Sequence, residues 1–396
     1  MSVNQHMYQL GAKRNIMREI FEYGRRRAAL VGAENVLDFS LGNPSVPPPE
    51  KVNGTIRRIL DGPMSDAVHA YTSAQGDAGV REVLAGSLRR RFGAQCGAED
   101  LYLTVGAAAA LCSCLFGLAC PGDEFIVIVP YFTEYKVFID GTGATTVEVP
   151  ARADTFDLDL EVLERAINRH TKGIVVNSPN NPSGVVYPAE TLAALGDLLR
   201  RKSEQFGDPI YLISDEPYRE VVFAGVDVPW MPAYYENTLV CYSYSKCLSL
   251  PGERIGYVLV PPSVEDHQTV YAAVGGAGRS LGYINAPSLF QHVAAACDGE
   301  TADLSVYETN RNLLYEGLAG MGYTCVRPDG TFYLMMKSPE PDAEAFCRQA
   351  MARDLLLAPT DTFGLPGYVR IAFCVDTERV RRALPVFAEL AKEYGL

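Results

Sequence analysis

Short apolar runs rich in β-branched residues alternate with helix-patterned stretches along much of the chain, and this alternation constrains the fold more than any other feature. The runs are VLDFSLG (36–42), LYLTVG (101–106), FIVIVP (125–130), TTVEVP (145–150), GIVVNS (173–178), IYLISD (210–215), TLVCYSYS (238–245) and IGYVLV (255–260). Between them 107–118, 159–169 and 189–204 read as helices, the last with Leu192, Leu195, Leu198 and Leu199 at helical spacing. Strands separated by helices pair in parallel, because a tight hairpin cannot join parallel neighbours. The expected fold is α/β, with a mainly parallel sheet covered by helices on both faces. Such sheets bind ligands outside the carboxyl ends of their strands, so the residues that close each run carry the functional question.

Beyond about residue 290 the pattern changes. A helical stretch (303–320) precedes YTCVRPDGTFYLMMK, in which Asp329-Gly330 reads as a turn between two strands. A helix (342–353), a short strand near 368–374 and a last helix (377–394) follow. These describe a smaller α+β domain. The prolines at 44, 47, 48 and 49 mark an abrupt crossing that hands the N-terminal segment to it. The expected division is residues 1–50 with the small domain, 51–290 as the large domain and 291–396 as the C-terminal domain.

Composition removes several function classes. With 35 Lys+Arg against 48 Asp+Glu the formal charge is −13, which argues against a nucleic-acid partner, since phosphate-backbone binding draws on clustered positive charge. No apolar run approaches the roughly 20 residues of a membrane span, and the N-terminal residues lack a secretory apolar core. The expectation is a cytoplasmic protein with no membrane partner. The ten cysteines form no C-x-x-C pair and the five histidines no H-x-x-x-H pair, so free thiols and no metal are expected.

Two motifs fail on their surroundings. Gly278-Arg279-Ser280-Leu281-Gly282 has the G-x-S-x-G form of a nucleophile elbow, but no acid followed by a histidine lies downstream in the required order. Gly276-Ala277-Gly278 begins a dinucleotide fingerprint and then has Leu281 where its third glycine belongs. What remains is a polar set at predicted strand ends. Ser178-Pro179-Asn180-Asn181-Pro182-Ser183-Gly184 follows one strand and Asp215-Glu216-Pro217-Tyr218 the next. Ser243-Tyr244-Ser245-Lys246 closes a third, with Arg254 eight residues after Lys246. Together they put an amide, a carboxylate, a phenol, an amine and a guanidinium at one sheet edge, a grouping that is costly to bury without a polar ligand.

S-x-S-K with its later arginine, N-N-P-S-G, D-E-P-Y and the late G-Y-V-R-I-A-F occur in an order and spacing that resemble the fold-type I pyridoxal-phosphate enzymes, specifically class I/II aminotransferases of the aspartate aminotransferase superfamily. The resemblance spans essentially the whole chain and implies a seven-stranded type of large-domain sheet. It implies that Lys246 forms the Schiff base with pyridoxal 5'-phosphate and then carries the proton between substrate Cα and cofactor C4′. Asp215 would pair with the pyridine nitrogen, Asn181 and Tyr218 with the phenolic oxygen, and Phe132 would stack on the ring. Gly106, Ala107 and Ala108, at a helix N-terminus suited to anions, would hold the phosphate with Ser243, Ser245 and Arg254. Tyr71 would reach the phosphate of a neighbouring subunit, so the resemblance implies a homodimer with shared active sites.

Arg370 matches the arginine that grips a substrate α-carboxylate, with a backbone N–H from Gly42 beside it. Arg279 would read a substrate side chain from the partner subunit, Ala109 standing where some relatives carry a lysine. The implied activity is ping-pong transfer of an amino group from an L-amino acid to a 2-oxo acid such as 2-oxoglutarate. A C–S or β-elimination lyase or a decarboxylase on the same fold is the alternative. A cofactor-binding regulator and a serine hydrolase built on Ser280 are readings from other classes.

Overall fold

The computed structural model describes residues 2–12 and 16–396. The chain divides into a larger unit, Pro44–Ser305 with Pro328–Thr331, and a smaller one, Met1–Asn43, Val306–Arg327 and Phe332–Leu396.

The larger unit is built on a seven-stranded sheet. Its spatial order is Leu101–Thr104, Gly256–Leu259, Thr238–Ser243, Tyr211–Asp215, Thr171–Asn177, Glu124–Val129 and Thr145–Pro150. Four connections explain the parallel pairing. Helices Ala107–Leu118, Glu134–Thr142, Leu160–Ala166 and Ala189–Phe206 each follow a strand and return the chain to the edge where that strand began. Strands 101–104, 211–215, 238–243 and 256–259 are buried along their whole length, as expected of a sheet covered on both faces. Edge strand Thr145–Pro150 is half exposed.

Gly256–Leu259 runs antiparallel to both neighbours. The apolar pattern alone does not reveal this, since a buried run looks the same in either direction. Segment 244–255 is short and contains no helix, and it turns back beside the strand it has just left. Ser243 pairs with Gly256 and Tyr242 with Tyr257 as a result. The turn-back returns Arg254 to the sheet edge where Ser243 ends its strand.

The smaller unit has a four-stranded antiparallel sheet ordered Ala358–Pro359, Tyr368–Ala372, Tyr333–Lys337, Cys325–Val326. The run expected as a strand over 36–42 contributes only Leu37–Asp38. It pairs in parallel with Leu355–Leu356 in this unit rather than joining the large sheet. The Asp376 and Asp342 side chains cap helices Thr377–Tyr394 and Ala343–Met351, accepting from Arg379 N at 2.8 Å and Ala345 N at 3.0 Å.

Gly256 permits the close strand approach on which the sheet edge depends. A Cβ there would lie 2.2 Å from the Tyr242 carbonyl oxygen and 3.2 Å from Gly106 Cα. Gly256→Ala is expected to destabilise the protein by about 1–3 kcal/mol, read as a lower urea midpoint. An unchanged midpoint would show that these strands separate without cost.

Candidate active site

At the carboxyl edge of the larger sheet, Gly106 precedes helix Ala107–Leu118 with φ +85°, a conformation suited to glycine. Ala110 N–H bonds back to Gly106 O at 3.2 Å. The amides of Ala107, Ala108 and Ala109 therefore have no acceptor within the helix and present a positive end. Arg254 closes over this terminus: a Cβ on Gly106 would lie 2.7 Å from Arg254 Nη2. Arg254 itself holds φ +53°, a costly conformation outside glycine, and donates to Pro251 O at 3.1 Å and Ser245 Oγ at 3.4 Å. Ser243 and Ser245 hydroxyls meet at 2.8 Å beside it. Three amides, two hydroxyls and a guanidinium converge on one small-residue pocket edge, which is an anion cradle.

On the strand next to Thr238–Ser243 in the same sheet, Asp215 closes Tyr211–Asp215 and is buried. Its Oδ2 accepts the Tyr135 hydroxyl, while Oδ1 has no hydrogen-bond partner among the described residues. Burial pushes its carboxyl up to about 7; the Tyr135 hydrogen bond pulls it down, and neighbouring Glu216 raises it further. Asn177, level with Asp215 on the adjacent strand, donates to Asp215 O at 2.8 Å and accepts the Asn181 N–H at 2.7 Å. This ties the N-N-P-S-G turn to the carboxylate strand. Asn180 shapes the turn, its Oδ1 accepting from Ser183 N at 3.0 Å and Ser183 Oγ at 2.7 Å. Lys246 Nζ stands 5.9 Å from the Tyr218 ring centroid. Phe132 packs edge-on to Tyr135 at 5.6 Å, which places it on the side of the residue that holds Asp215.

Tyr135 and Asn177 were not among the residues expected from sequence. Tyr135 comes three positions after Phe132, at the second residue of the following helix, and that spacing was the available signal. Asn177 is the last residue of its strand, just ahead of the turn motif.

Tyr71 is 94% exposed and Arg279 lies exposed near the end of helix His267–Ser280. Among the described residues neither makes a hydrogen bond or ion pair with the Asp215–Lys246 cluster. They are linked to each other through the chain: Asn285 donates to Thr72 O at 2.9 Å and Ser73 O at 2.8 Å, pinning the Tyr71 loop to the segment after Arg279. Ser280 closes a helix and not a strand-to-helix elbow, so the hydrolase reading loses its geometry. Among the described residues no group of three or more His, Cys, Asp or Glu could hold a metal, and no helix is long and apolar enough to cross a membrane.

In the smaller unit Arg370 lies on a central strand between Met335 and Ala358, only 6% exposed. Its Nη2 donates to Ser40 O at 2.9 Å, and its guanidinium lies 4.4 Å from the Tyr333 ring centroid and 4.7 Å from that of Phe363. Gly42 shares this neighbourhood, since a Cβ there would overlap the Tyr333 hydroxyl at 1.7 Å. An arginine flanked by two rings presents a fixed edge to a carboxylate.

A phosphorylated pyridine needs an anion cradle at one end and a carboxylate with an open oxygen for its ring nitrogen. The larger unit presents both, the Gly106–Arg254 cradle and the open oxygen of Asp215, with Lys246 near Tyr218, and so has the architecture of a pyridoxal-phosphate enzyme. Residues 34–387 match the model of aminotransferase class I and II, and the chain belongs to that family of pyridoxal-phosphate-dependent transaminases. It is 31% identical to an aspartate/prephenate aminotransferase of Thermus thermophilus over 90% of this chain and 91% of that one. It is 29% identical to an arginine–pyruvate transaminase of Pseudomonas aeruginosa over 93% of each. Among solved structures, an amino transferase from Eubacterium rectale is 54% identical with a TM-score of 0.97 over 100% of both chains. The Thermus thermophilus aspartate aminotransferase with maleate is 28% identical, with a TM-score of 0.86 over 98% of this chain and 100% of that one.

The raised carboxyl of Asp215 has a stability consequence. A group whose folded pKa lies above its unfolded value contributes stability that is full below the unfolded pKa and is lost as pH rises through the folded one. For Asp215 that window runs from about pH 4 to about pH 7. In the cofactor-free protein, wild type is expected to lose on the order of 4 kcal/mol relative to Asp215→Asn across it, from about 3 pH units at 1.36 kcal/mol each. Urea unfolding of both proteins at pH 4.5 and 8 measures this, and a constant gap between them would show that Asp215 titrates normally.

Proposed function

We propose that the protein transfers the amino group of an L-amino acid to a 2-oxo acid, with 2-oxoglutarate as acceptor, by a ping-pong cycle in a cytoplasmic homodimer that shares its active sites. The observation that carries this reading is the common sheet edge that presents the Gly106–Arg254 cradle and the open oxygen of Asp215. Bound pyridoxal phosphate supplies an electron sink for charge that develops at the substrate α-carbon.

The chain's own groups have separate tasks. Gly106, Ala107, Ala108, Ser243, Ser245 and Arg254 hold the phosphate, and Asp215 keeps the ring nitrogen protonated. Asn181 and Tyr218 bond the phenolic oxygen, and Phe132 covers a ring face. Lys246 anchors the cofactor through its amine. With its amine free, Lys246 would be the base that takes and returns the proton at the substrate α-carbon. Arg370 and the Gly42 N–H bind the α-carboxylate. A carboxylate held in this way favours removal of the α-proton over loss of CO2, which supports transamination over decarboxylation.

Tyr71 and Arg279 act from the partner subunit, Tyr71 on the phosphate and Arg279 on a distal substrate carboxylate. Their exposure in a single chain and the Asn285 link between their segments support this role. The named relatives include enzymes for aspartate or prephenate and for arginine with pyruvate. Ala109, in place of a lysine, leaves Arg279 as the cation proposed to select a dicarboxylic acceptor.

The visible absorbance of the cofactor-loaded protein tests the reading. Single L-amino acids, added without acceptor, are expected to bleach the yellow band, and 2-oxoglutarate to restore it. A band that persists while pyruvate and ammonia accumulate would reassign the protein as a lyase. Lys246→Ala is expected to bind cofactor and lose turnover, so near wild-type activity would remove Lys246 from its role. Arg370→Leu should raise the amino-acid KM by about 10–100-fold, the worth of a charge-assisted hydrogen bond. An unchanged KM would take Arg370 out of the site.

A further inference from the structure

Glu216 follows Asp215 directly and Arg219 comes one helical turn's spacing later, and the steps above use neither. Both are buried, at 3% and 5% exposure. Arg219 Nε donates to Glu216 Oε2 at 2.5 Å, and the other oxygen of Glu216 accepts the Ser214 hydroxyl at 2.5 Å. The guanidinium is boxed by rings: its carbon lies 4.5 Å from the centroid of Tyr242, 4.9 Å from Trp230 and 5.0 Å from Phe92. Tyr257 Oη accepts from Nη1 at 3.2 Å. A cation enclosed by π faces and matched to one carboxylate is strongly held.

A buried ion pair seldom adds net stability over apolar packing, so its position beside the cofactor acid calls for a reason other than stability. We propose that Glu216 and Arg219 form a positioning pair for Asp215, in which Arg219 neutralises Glu216 so that Asp215 alone presents an unshared negative charge to the cofactor's ring nitrogen. This rests on the reading of Asp215 as the pyridine-nitrogen partner.

The groups packed around Asp215 come from several elements. From helix Glu134–Thr142 comes Tyr135, and from strand Thr238–Ser243 comes Cys241, with Cys114 of helix Ala107–Leu118 3.6 Å behind it. Burial pushes the Tyr135 phenol and the Cys241 thiol well above their ordinary values, so both stay neutral across the working range. Strand Thr171–Asn177 offers the uncharged Asn177. Tyr218, in the same turn as Glu216 and Arg219, is buried and adds a phenol to the cluster around Tyr135. Glu216 is the charged neighbour that raises Asp215, and Arg219 is the cation matched to it. Without Arg219, two adjacent buried carboxyls would share a proton. Without the Glu216 charge, an unmatched guanidinium would hold Asp215 ionised more firmly.

The test is the pH dependence of cofactor affinity. Cofactor-free wild type, Arg219→Met and Glu216→Gln are titrated with pyridoxal 5'-phosphate from pH 5 to 9 and the dissociation constant is read at each pH. Affinity is expected to fall on the acid side as Asp215 takes up a proton. Arg219→Met should move that limb up by about one pH unit and Glu216→Gln should move it down. Both variants break the pair and both lower stability, so a purely structural role moves the limb in the same direction in both or in neither, and either result overturns the proposal.

Trp230 is the chain's only tryptophan and lies against Arg219, so its emission reports whether the box is intact in each variant. Should Arg219→Met fail to fold, Arg219→Lys keeps the charge and is expected to leave the limb near wild type. A limb displaced upward in Arg219→Lys would show that stacking and not charge is at work, which also overturns the proposal. Failure of the wild type itself to bind cofactor would refute the reading of Asp215 and not the pair.

Discussion

Six of the seven strands in the larger unit run the same way, so their carboxyl ends lie along one edge, and every polar group of the proposed cofactor cradle depends on that alignment. A parallel sheet buried on both faces has few places for a charged side chain. Strand ends are the exception, because the chain leaves the sheet there and its amides and side chains face a crevice. The one reversed strand extends the arrangement. By turning back without a helix, segment 244–255 returns Arg254 to the edge where Ser243 ends, opposite the glycine that opens the cradle. A crossover helix in its place would have carried the arginine to the far edge of the sheet.

Burial makes this edge chemically useful. Asp215 is removed from water, holds one hydrogen bond at Oδ2 and leaves Oδ1 unbonded. In a cofactor-free site that is a cost, visible in a carboxyl pushed up to about 7. In the proposed function a protonated ring nitrogen would supply what is missing, and the same desolvation that disfavours the empty charge would strengthen that attraction. Tyr135 and Asn177 hold the carboxylate and its strand in place, and the Glu216–Arg219 pair begins at the next residue. The smaller unit prepares its own anion site in the same manner, fixing Arg370 between two aromatic rings and a backbone carbonyl.

Much of this is legible in the sequence, and the unread part shares a cause. The runs 173–178, 210–215 and 238–245 are recognisable as strands from residue type and length, and the helical stretches elsewhere in the series, such as 189–204 between the first two, imply a mainly parallel sheet. The residues that close those runs are thereby assigned to one edge. Helices 107–118 and 377–394 form where periodicity puts them. The reversal of Gly256–Leu259 is not legible, because direction leaves no mark on a short apolar run. The 36–42 run reduces to a two-residue strand in the other unit because its partner, Leu355–Leu356, lies more than three hundred residues away. Tyr135, Asn177 and Arg219 escape for a related reason: each acts through a partner on another element or within a turn whose shape the sequence does not state.

By itself the sequence determined the layer architecture, through the two hydrophobic periods, and the chemical identity of the groups at the strand ends. These are local properties, written in residue type and spacing. Only the tertiary structure decided which oxygen of Asp215 is left open, which amide ties the asparagine turn to that strand, and that one buried arginine is boxed by aromatic rings against Glu216. Those outcomes depend on strand direction and register, which are set by contacts between residues far apart in the chain.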